Sequence, residues 1–354
     1  MLKIGIVGLP NAGKSTLFNA LVMKPKAAVA IHPFTTIDKN LGVVEVPDET
    51  LFDLAKIENI SKVTPTTITF VDIAGLIKNA HLGEGLGNQF LHHIREVDLI
   101  LHLMRFFKNE SIPHVHATID PKEDIEIVNQ ELLFADLQTL ENRLAKPSFA
   151  EASAGEKEKA VIKKFIEKLN QGVPANKIEV DEKEKEFIKQ LNLLTMKKQL
   201  IVANIDEDEV NKPAKELNGQ RLLSICAKLE ADLSELPWVE QQRFLKEYGL
   251  EKTVKETIIK ETYKALDIVT FYTIAKRTEA RAWTLKKGKT ALEAAAKIHT
   301  DFAANFVKVE AINTPELLLA GSWHKAHELG KVLLHGKDYL VQDKDVLEFK
   351  VSIK

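Results

Sequence analysis

The chain is poor in cysteine, in aromatic residues and in net charge. Cys226 is the single cysteine among 354 residues. No intrachain disulfide can form, which suits a reducing compartment and makes the cytoplasm the expected location. Charges of the two signs nearly cancel, with 49 Lys and Arg against 51 Asp and Glu. No global field then draws the chain to nucleic acid or membrane, so any basic binding surface is local. No stretch of about 18 apolar residues occurs, which argues against a membrane span. The apolar part of "MLKIGIVGLPNAGKS" is too short for a secretory leader and reads as a first buried strand. Internal repeats and low-complexity segments are also missing. The hydrophobic fraction of 45% is that of an ordinary soluble protein. At roughly 100–200 residues per domain, two or three domains are expected.

The segments that are present change texture twice. "LKIGIVGL", "TITFVDIAG" and "DLILHLMRFF" read as strands alternating with helix patterns, and "QLIVAN" follows much later. That rhythm predicts an α/β fold with a parallel sheet and helices on both faces. Between about 128 and 197 helical periodicity takes over. Leu133, Leu137, Leu140 and Leu144 form one stripe, Val161, Phe165 and Leu169 a second, and Phe187, Leu191 and Leu194 a third. Pro147, Ser148 and Gly155 mark the turn between the first two. An inserted helical hairpin is expected, either protruding as an arm or packed on the core. From about 268, "RAWTLKKGKTALEAAAKIHTDF" reads strand, turn, helix, and "NFVKVEAI" and "KDYLVQDKDVLEFKV" read as strands of a small α+β domain.

"GLPNAGKS" fits G-x4-G-K-[ST] with Gly8, Gly13, Lys14 and Ser15. Glycines permit positive φ, so successive backbone N–H groups wrap a phosphate. Lys14 supplies charge to the β and γ oxygens, and the Ser15 hydroxyl can ligate Mg²⁺. The pattern follows a predicted strand and precedes the helix "STLFNALV", the context such a loop requires. Asn11, Ala12, Gly13, Lys14, Ser15 and Thr16 are therefore assigned to nucleotide phosphates. Asp72 in "FVDIAGL" stands at the end of a second strand, where it can hold Mg²⁺ through water. Gly75 leaves an N–H for a γ-phosphate. Thr36 in "HPFTTID" is the third Mg²⁺ candidate, with Thr35 adjacent.

Taken in order, "GLPNAGKST", "PFTTID", "VDIAGLIKNAHLGEGLGNQFL", "VANIDE" and "EARAWT…GKDYLVQD" resemble the Obg-like ATPases, the YchF group of translation-factor-class P-loop NTPases. The resemblance spans essentially the whole chain. It implies a P-loop NTPase G-domain over 1–127 and 198–267, an inserted α-helical coiled-coil arm over 128–197, and a C-terminal TGS domain over 268–354. The TGS domain is a small ubiquitin-like β-grasp module. Two departures occur: Lys344 stands at the glycine of the family's "QDGD", and "TTI" replaces "CTI".

"VANIDEDE" carries the question of the base. A guanine reader has Asn-Lys-x-Asp, and here Asn204 is followed by Ile205 and Glu207. An Asp carboxylate accepts from guanine N1–H and the N2 amino group, and the extra methylene of Glu207 displaces that fork. Losing a paired bond of this kind costs about 1–3 kcal/mol. Ile205 can still cover a base. The residues alone weaken guanine selection and permit adenine, while Glu207 as a plain surface acid is the other reading. By resemblance, Asn-x-x-Glu marks ATP use. "SICAKLE" looks like the loop completing the pocket through Cys226 and Ala227.

The position after Gly75, where many GTPases place a Gln to orient water, holds Leu76, so slow intrinsic hydrolysis is expected. Asn11 resembles an Asn that in related NTPases helps hold K⁺; its alternative role is to bond its own loop. His114 is by resemblance the loop histidine that replaces the catalytic base, with His116 two residues on as its control. "GEGLGNQ" reads as a γ-phosphate-sensing switch. Lys14, Gly75 and His114 make up the catalytic set.

Three functions compete: a slow ATPase switching a translation partner, a GTPase of ordinary specificity, and a non-catalytic adaptor with structural nucleotide. The resemblance implies ATP and the ribosome as partners, chiefly the large subunit through rRNA or ribosomal protein. No membrane partner is expected, since no long apolar run occurs, and a monomer is the default state. Lys286, Lys287 and Lys289 on one turn, and Lys163, Lys164 and Lys168 on one helix, offer local basic character.

Overall fold

Apolar runs flanked by glycine and polar residues build the strands of the first sheet. They are β1 (Leu2–Val7), β2 (Leu41–Glu45), β4 (Thr67–Asp72), β5 (Leu99–Arg105), β6 (Lys198–Asn204) and β9 (Leu223–Ile225), with β3 (Lys62–Thr64) and the short β7 (Glu216–Leu217) and β8 (Gln220–Arg221) between them in sequence. The computed structural model describes residues 2–22, 41–73, 86–114, 118–145, 155–275 and 278–352. The sheet order is β2-β4-β1-β5-β6-β9. β1 pairs parallel with β5, β5 with β6, and β6 with β9. Every residue of β5 is buried, as a central parallel strand covered on both faces requires. The helices α1 (Lys14–Val22), α3 (Leu86–Glu96) and α4 (Pro121–Ala145) belong to this unit, which comprises 1–44 and 69–257.

α4 is one 25-residue helix serving two cores. Val128, Leu132 and Ala135 pack with Ile94, Ile100 and Leu194. Further along, Leu137 and Leu140 pack with Val161, Ile162, Phe165 and Leu169 of the helix Gly155–Asn170. Phe187 and Leu191 join that second cluster from the helix Glu182–Leu191. The expected third stripe is thus corrected at Leu194. It lies in a separate 3-10 turn and packs with the sheet-side core, because the αL residue Asn192 ends the helix first. Asp136 ties that turn to α4, accepting from Leu194 N, Thr195 N and Thr195 Oγ1.

The second unit comprises 45–68 and 258–354. Its sheet adds β10 (Ile268–Ala275), β11 (Glu279–Lys286), β12 (Phe306–Asn313), β13 (Leu333–His335) and β14 (Asp345–Val351), in the order β13-β12-β14-β10-β11-β3. Side chains alternate between two cores, as the period of two dictates. Phe271, Ala311 and Leu347 face the helix Ala291–Ile298. Tyr272, Ile312 and Val346 face α2 (Glu49–Ile57) and the helix Thr314–Ala320. Residues 45–68, expected in the first domain, therefore belong here: β3 pairs parallel with β11, and Leu51, Leu54 and Ala55 fill this core.

"KDYLVQDKDVLEFKV" is a strand only from Asp345 onward. Lys344 has φ +65 and breaks the extended chain. Its N–H donates to Thr270 O at 2.7 Å and its carbonyl accepts from Thr314 N at 3.0 Å, so the backbone is pinned in the left-handed region. A Cβ is unfavourable there by about 1–2 kcal/mol, part of which glycine's unfolded-state entropy would offset. Lys344→Gly is expected to stabilise the protein by about 0.5–1 kcal/mol, read from the midpoint of urea unfolding.

Candidate functional site

The phosphate loop follows β1 directly. A Cβ at Gly8 would stand 2.3 Å from Leu103 O, and one at Gly13 would stand 2.4 Å from Asn204 Nδ2. Gly13 has φ +95 and Asn11 φ +64, so the loop turns through the left-handed region twice. Lys14 Nζ lies within the loop, donating to Leu9 O at 2.9 Å. Burial lowers its pKa to about 8, and Asp72 pulls it partly back up. Ser15 Oγ donates to Asp72 Oδ2 at 2.9 Å, which brings two expected Mg²⁺ ligands together across 57 residues of sequence.

A hydroxyl and one carboxylate suit a hard oxygen-seeking cation. No cluster of three or more acidic, His or Cys side chains occurs among the described residues. That donor set fits Mg²⁺, which is commonly held by one or two carboxylates together with substrate phosphates. Thr36 and Gly75 lie outside the described residues, as do Leu76, His116 and the first part of "GEGLGNQ"; Leu86–Gln89 form the first turn of α3.

Beside the loop opens a cleft of about 880 Å³ lined by Gly13, Lys14 and Ser15 and by Ile205, Glu207 and Tyr248. Its size is right for a cofactor-sized ligand. Asn204, at the end of β6, is buried and bonded at both ends. Nδ2 donates to Ala12 O, and Oδ1 accepts from Ala227 N, each at 3.0 Å. Asn204 is thus the staple between the phosphate loop and the 226–227 loop. Ala12 contributes its carbonyl to this staple and is itself only 2% exposed. Cys226 caps the helix Ala227–Ser234, its Sγ accepting from Leu229 N. Ile205 packs with Met104, Leu217 and Leu222 as well as lining the cleft.

Four residues with a part in the site were missed in the sequence. Tyr248 Oη donates to Glu207 Oε1, so Glu207 is engaged on the cleft wall. Arg105, 2% exposed, donates to the carbonyls of Phe107, Asn109, Ile112 and Pro113. That clamp fixes the loop following β5, whose Phe107 and Asn109 line the cleft. Asn11 Nδ2 donates to Pro113 O at 2.9 Å, bonding this loop and not its own. His102 is buried next to Val7 in register, with its pKa lowered to about 4 by burial and by Lys14. It is neutral near pH 7. Asp124 is the fourth: His114 Nε2 lies 3.3 Å from Asp124 Oδ2, with both side chains about 5% exposed or less. No residue pattern in a single sequence announces any of these partners.

The depressed pKa of Lys14 gives a pH dependence. The folded value of about 8 lies below the ordinary 10.5. Lys14 therefore carries its charge below about pH 8 and loses it as pH rises through that value. Nucleotide affinity is expected to fall above pH 8, approaching about tenfold per unit. Calorimetric titration from pH 7 to 9.5 reads this directly, and a flat profile would contradict it.

The sheet order, the glycine loop and the Ser15–Asp72 pair define a nucleotide-binding protein of the P-loop GTPase fold. Residues 3–135 match a family model described as a 50S ribosome-binding GTPase, and residues 268–352 match the C-terminal model of the YchF GTPases, described as a protein of unknown function. The chain is 42% identical to the ribosome-binding ATPase YchF of Bacillus subtilis, over 99% of this chain and 100% of that one. It is 42% identical to the ribosome-binding ATPase YchF of Escherichia coli O157:H7, over 99% of each chain. The solved Schizosaccharomyces pombe YchF GTPase superposes with TM-score 0.85 at 32% identity, covering 99% of this chain and 97% of that one. The chain belongs to the YchF family.

Proposed function

We propose that this chain is a ribosome-associated ATPase that binds ATP with Mg²⁺, hydrolyses it slowly, and switches its binding to a translation partner with nucleotide state. The observation that carries the reading is the Ser15–Asp72 pair beside Lys14, opening into a cleft that presents Glu207 and Ile205 instead of a guanine reader's Asp and Lys. The relatives that share its full length are named ribosome-binding ATPases. Mg²⁺ held by Ser15, Asp72 and Thr36 would neutralise phosphate charge. Lys14 supplies a fixed positive charge, and Gly75 an N–H for the γ-phosphate. K⁺ at Asn11 is a further assignment; there the side-chain amide is tied to Pro113 O, leaving its oxygen as the donor atom for a cation.

The helical insert, 128–197, is read as the arm and the C-terminal unit as a TGS domain, together the ribosome-facing parts. The basic clusters on them are partly neutralised: Lys164 pairs with Glu184 at 3.0 Å and Lys289 with Glu293 at 2.5 Å. Contacts with rRNA phosphates therefore fall more to Lys163, Lys286 and Lys287. No helix among the described residues is long and apolar enough to cross a membrane. A cytoplasmic monomer fits this reading. Co-sedimentation with 70S ribosomes and isolated large subunits, with an ATP analogue, ADP or no nucleotide, tests it. Nucleotide-dependent pelleting that weakens with salt is expected. Pelleting indifferent to nucleotide would favour the adaptor reading.

His114 is proposed as the group that handles the attacking water. In the present geometry it is parked against Asp124, so it must leave that contact to act. His114→Ala is expected to lower turnover by about 10²-fold with ATP affinity kept. His116→Ala should leave turnover near wild type, and equal losses in both variants would sink the assignment.

A further inference from the structure

The assignment of ATP leaves open what turns a carboxylate away from guanine, since Glu is flexible and its oxygens have capacity to spare. Glu207 is not left free. Tyr248 is the C-cap of the helix Trp238–Glu247, with its N–H bonded to Phe244 O at 2.9 Å. Its ring is packed against the cluster of Cys226, Leu229, Leu233 and Leu245. The backbone is anchored and one face of the half-buried ring packs on that cluster, and from there the hydroxyl reaches Glu207 Oε1. On the other oxygen the nearest cation is Lys228, at 4.0 Å and itself 76% exposed, too long and too solvated to hold it. All three residues line the cleft.

We infer that Tyr248 is a specificity-determining residue of this site, holding Glu207 so that one carboxylate oxygen, Oε2, is presented to the base. The inference rests on the ATPase reading above. The donor count explains why this arrangement selects. Guanine offers two adjacent donors, N1–H and the N2 amino group, and needs both carboxylate oxygens aligned along one edge. Adenine offers only its N6 amino group on that edge, so a single oxygen satisfies it. A guanine edge aligned with both oxygens would have to share Oε1 with the phenol, which already donates to it. Charge-assisted bonds of this type are among the stronger ones in proteins. Tyr248 thus fixes the orientation in which the carboxylate meets the base and occupies one acceptor site of Oε1. The phenol pKa is raised, with the bond to the carboxylate as first cause, as expected for a hydroxyl that keeps its proton to donate to Glu207.

Tyr248→Phe is the test, since Phe keeps the ring packing and removes only the hydroxyl. Affinities of the full-length protein for ADP and GDP, each with Mg²⁺, are measured by calorimetry for wild type and variant, with thermal melts to verify folding. Wild type should bind ADP more tightly than GDP. In Tyr248→Phe the ADP:GDP preference should shrink by about tenfold, chiefly through tighter GDP binding. An unchanged ratio, or an equal loss for both nucleotides, would overturn the role of Tyr248 while leaving the ATPase reading intact. Wild type preferring GDP would overturn both.

Discussion

Asn204→Ala is expected to lower ATP affinity by at least tenfold and to remove about 3 kcal/mol of stability. The side chain makes two buried hydrogen bonds in opposite directions, one to Ala12 O and one from Ala227 N. Alanine leaves that carbonyl and that N–H buried without a partner. Each such loss costs about 1–3 kcal/mol. The two loops it joins carry the phosphate site and the far wall of the cleft, so their spacing slackens together with the fold. Calorimetry and urea unfolding separate the two effects. Asn204→Asp keeps the acceptor for Ala227 but sets a buried carboxylate oxygen against the Ala12 carbonyl, so it should be at least as damaging as alanine. A variant that lost stability alone would show that the staple is structural and indifferent to ligand.

The second large effect is at Arg105. Its guanidinium donates to four backbone carbonyls within the 107–113 loop, and it lies 4.6 Å over the ring of Phe107. Lysine keeps the charge but has no planar fork, and it cannot reach four acceptors in these directions. Arg105→Ala is expected to destabilise by about 3 kcal/mol, and Arg105→Lys by roughly half as much. Both should weaken ATP binding, because Phe107 and Asn109 line the cleft and Pro113 O anchors Asn11 of the phosphate loop. Hydrogen exchange in residues 106–114 should rise in both variants while the sheet strands stay protected. Loop exchange unchanged from wild type would contradict the clamp.

What was legible in the sequence was what is local. The glycine loop needs Gly8 and Gly13 at fixed spacing because a Cβ at either would collide with the backbone or with Asn204. Lys14 and Ser15 follow, and Asp72 ends, strands that their own apolar runs announce, and β1, β4, β5 and β6 fell where expected, while β2 and β3 had not been read. The rest depended on the chain returning to itself. Residues 45–68 looked continuous with the nucleotide-binding domain, yet their apolar face finds its partners in Tyr272, Ala280 and Leu317, more than 200 residues on. Periodicity placed Leu194 on a helix that Asn192 had already ended. Arg105 and Tyr248 were unreadable for the same reason. Each is an ordinary residue whose function comes from a loop or a carboxylate brought to it by the fold. Asp136, among leucines read only as an apolar stripe, is a buried carboxylate bonded to Leu194 and Thr195.

The most direct test of the account is phosphate release from ATP and from GTP, in separate reactions of the full-length protein with Mg²⁺ at pH 7.5. Slow release from ATP, with a higher kcat/KM than from GTP, is expected. GTP favoured by tenfold or more, or no release from either nucleotide, would contradict it.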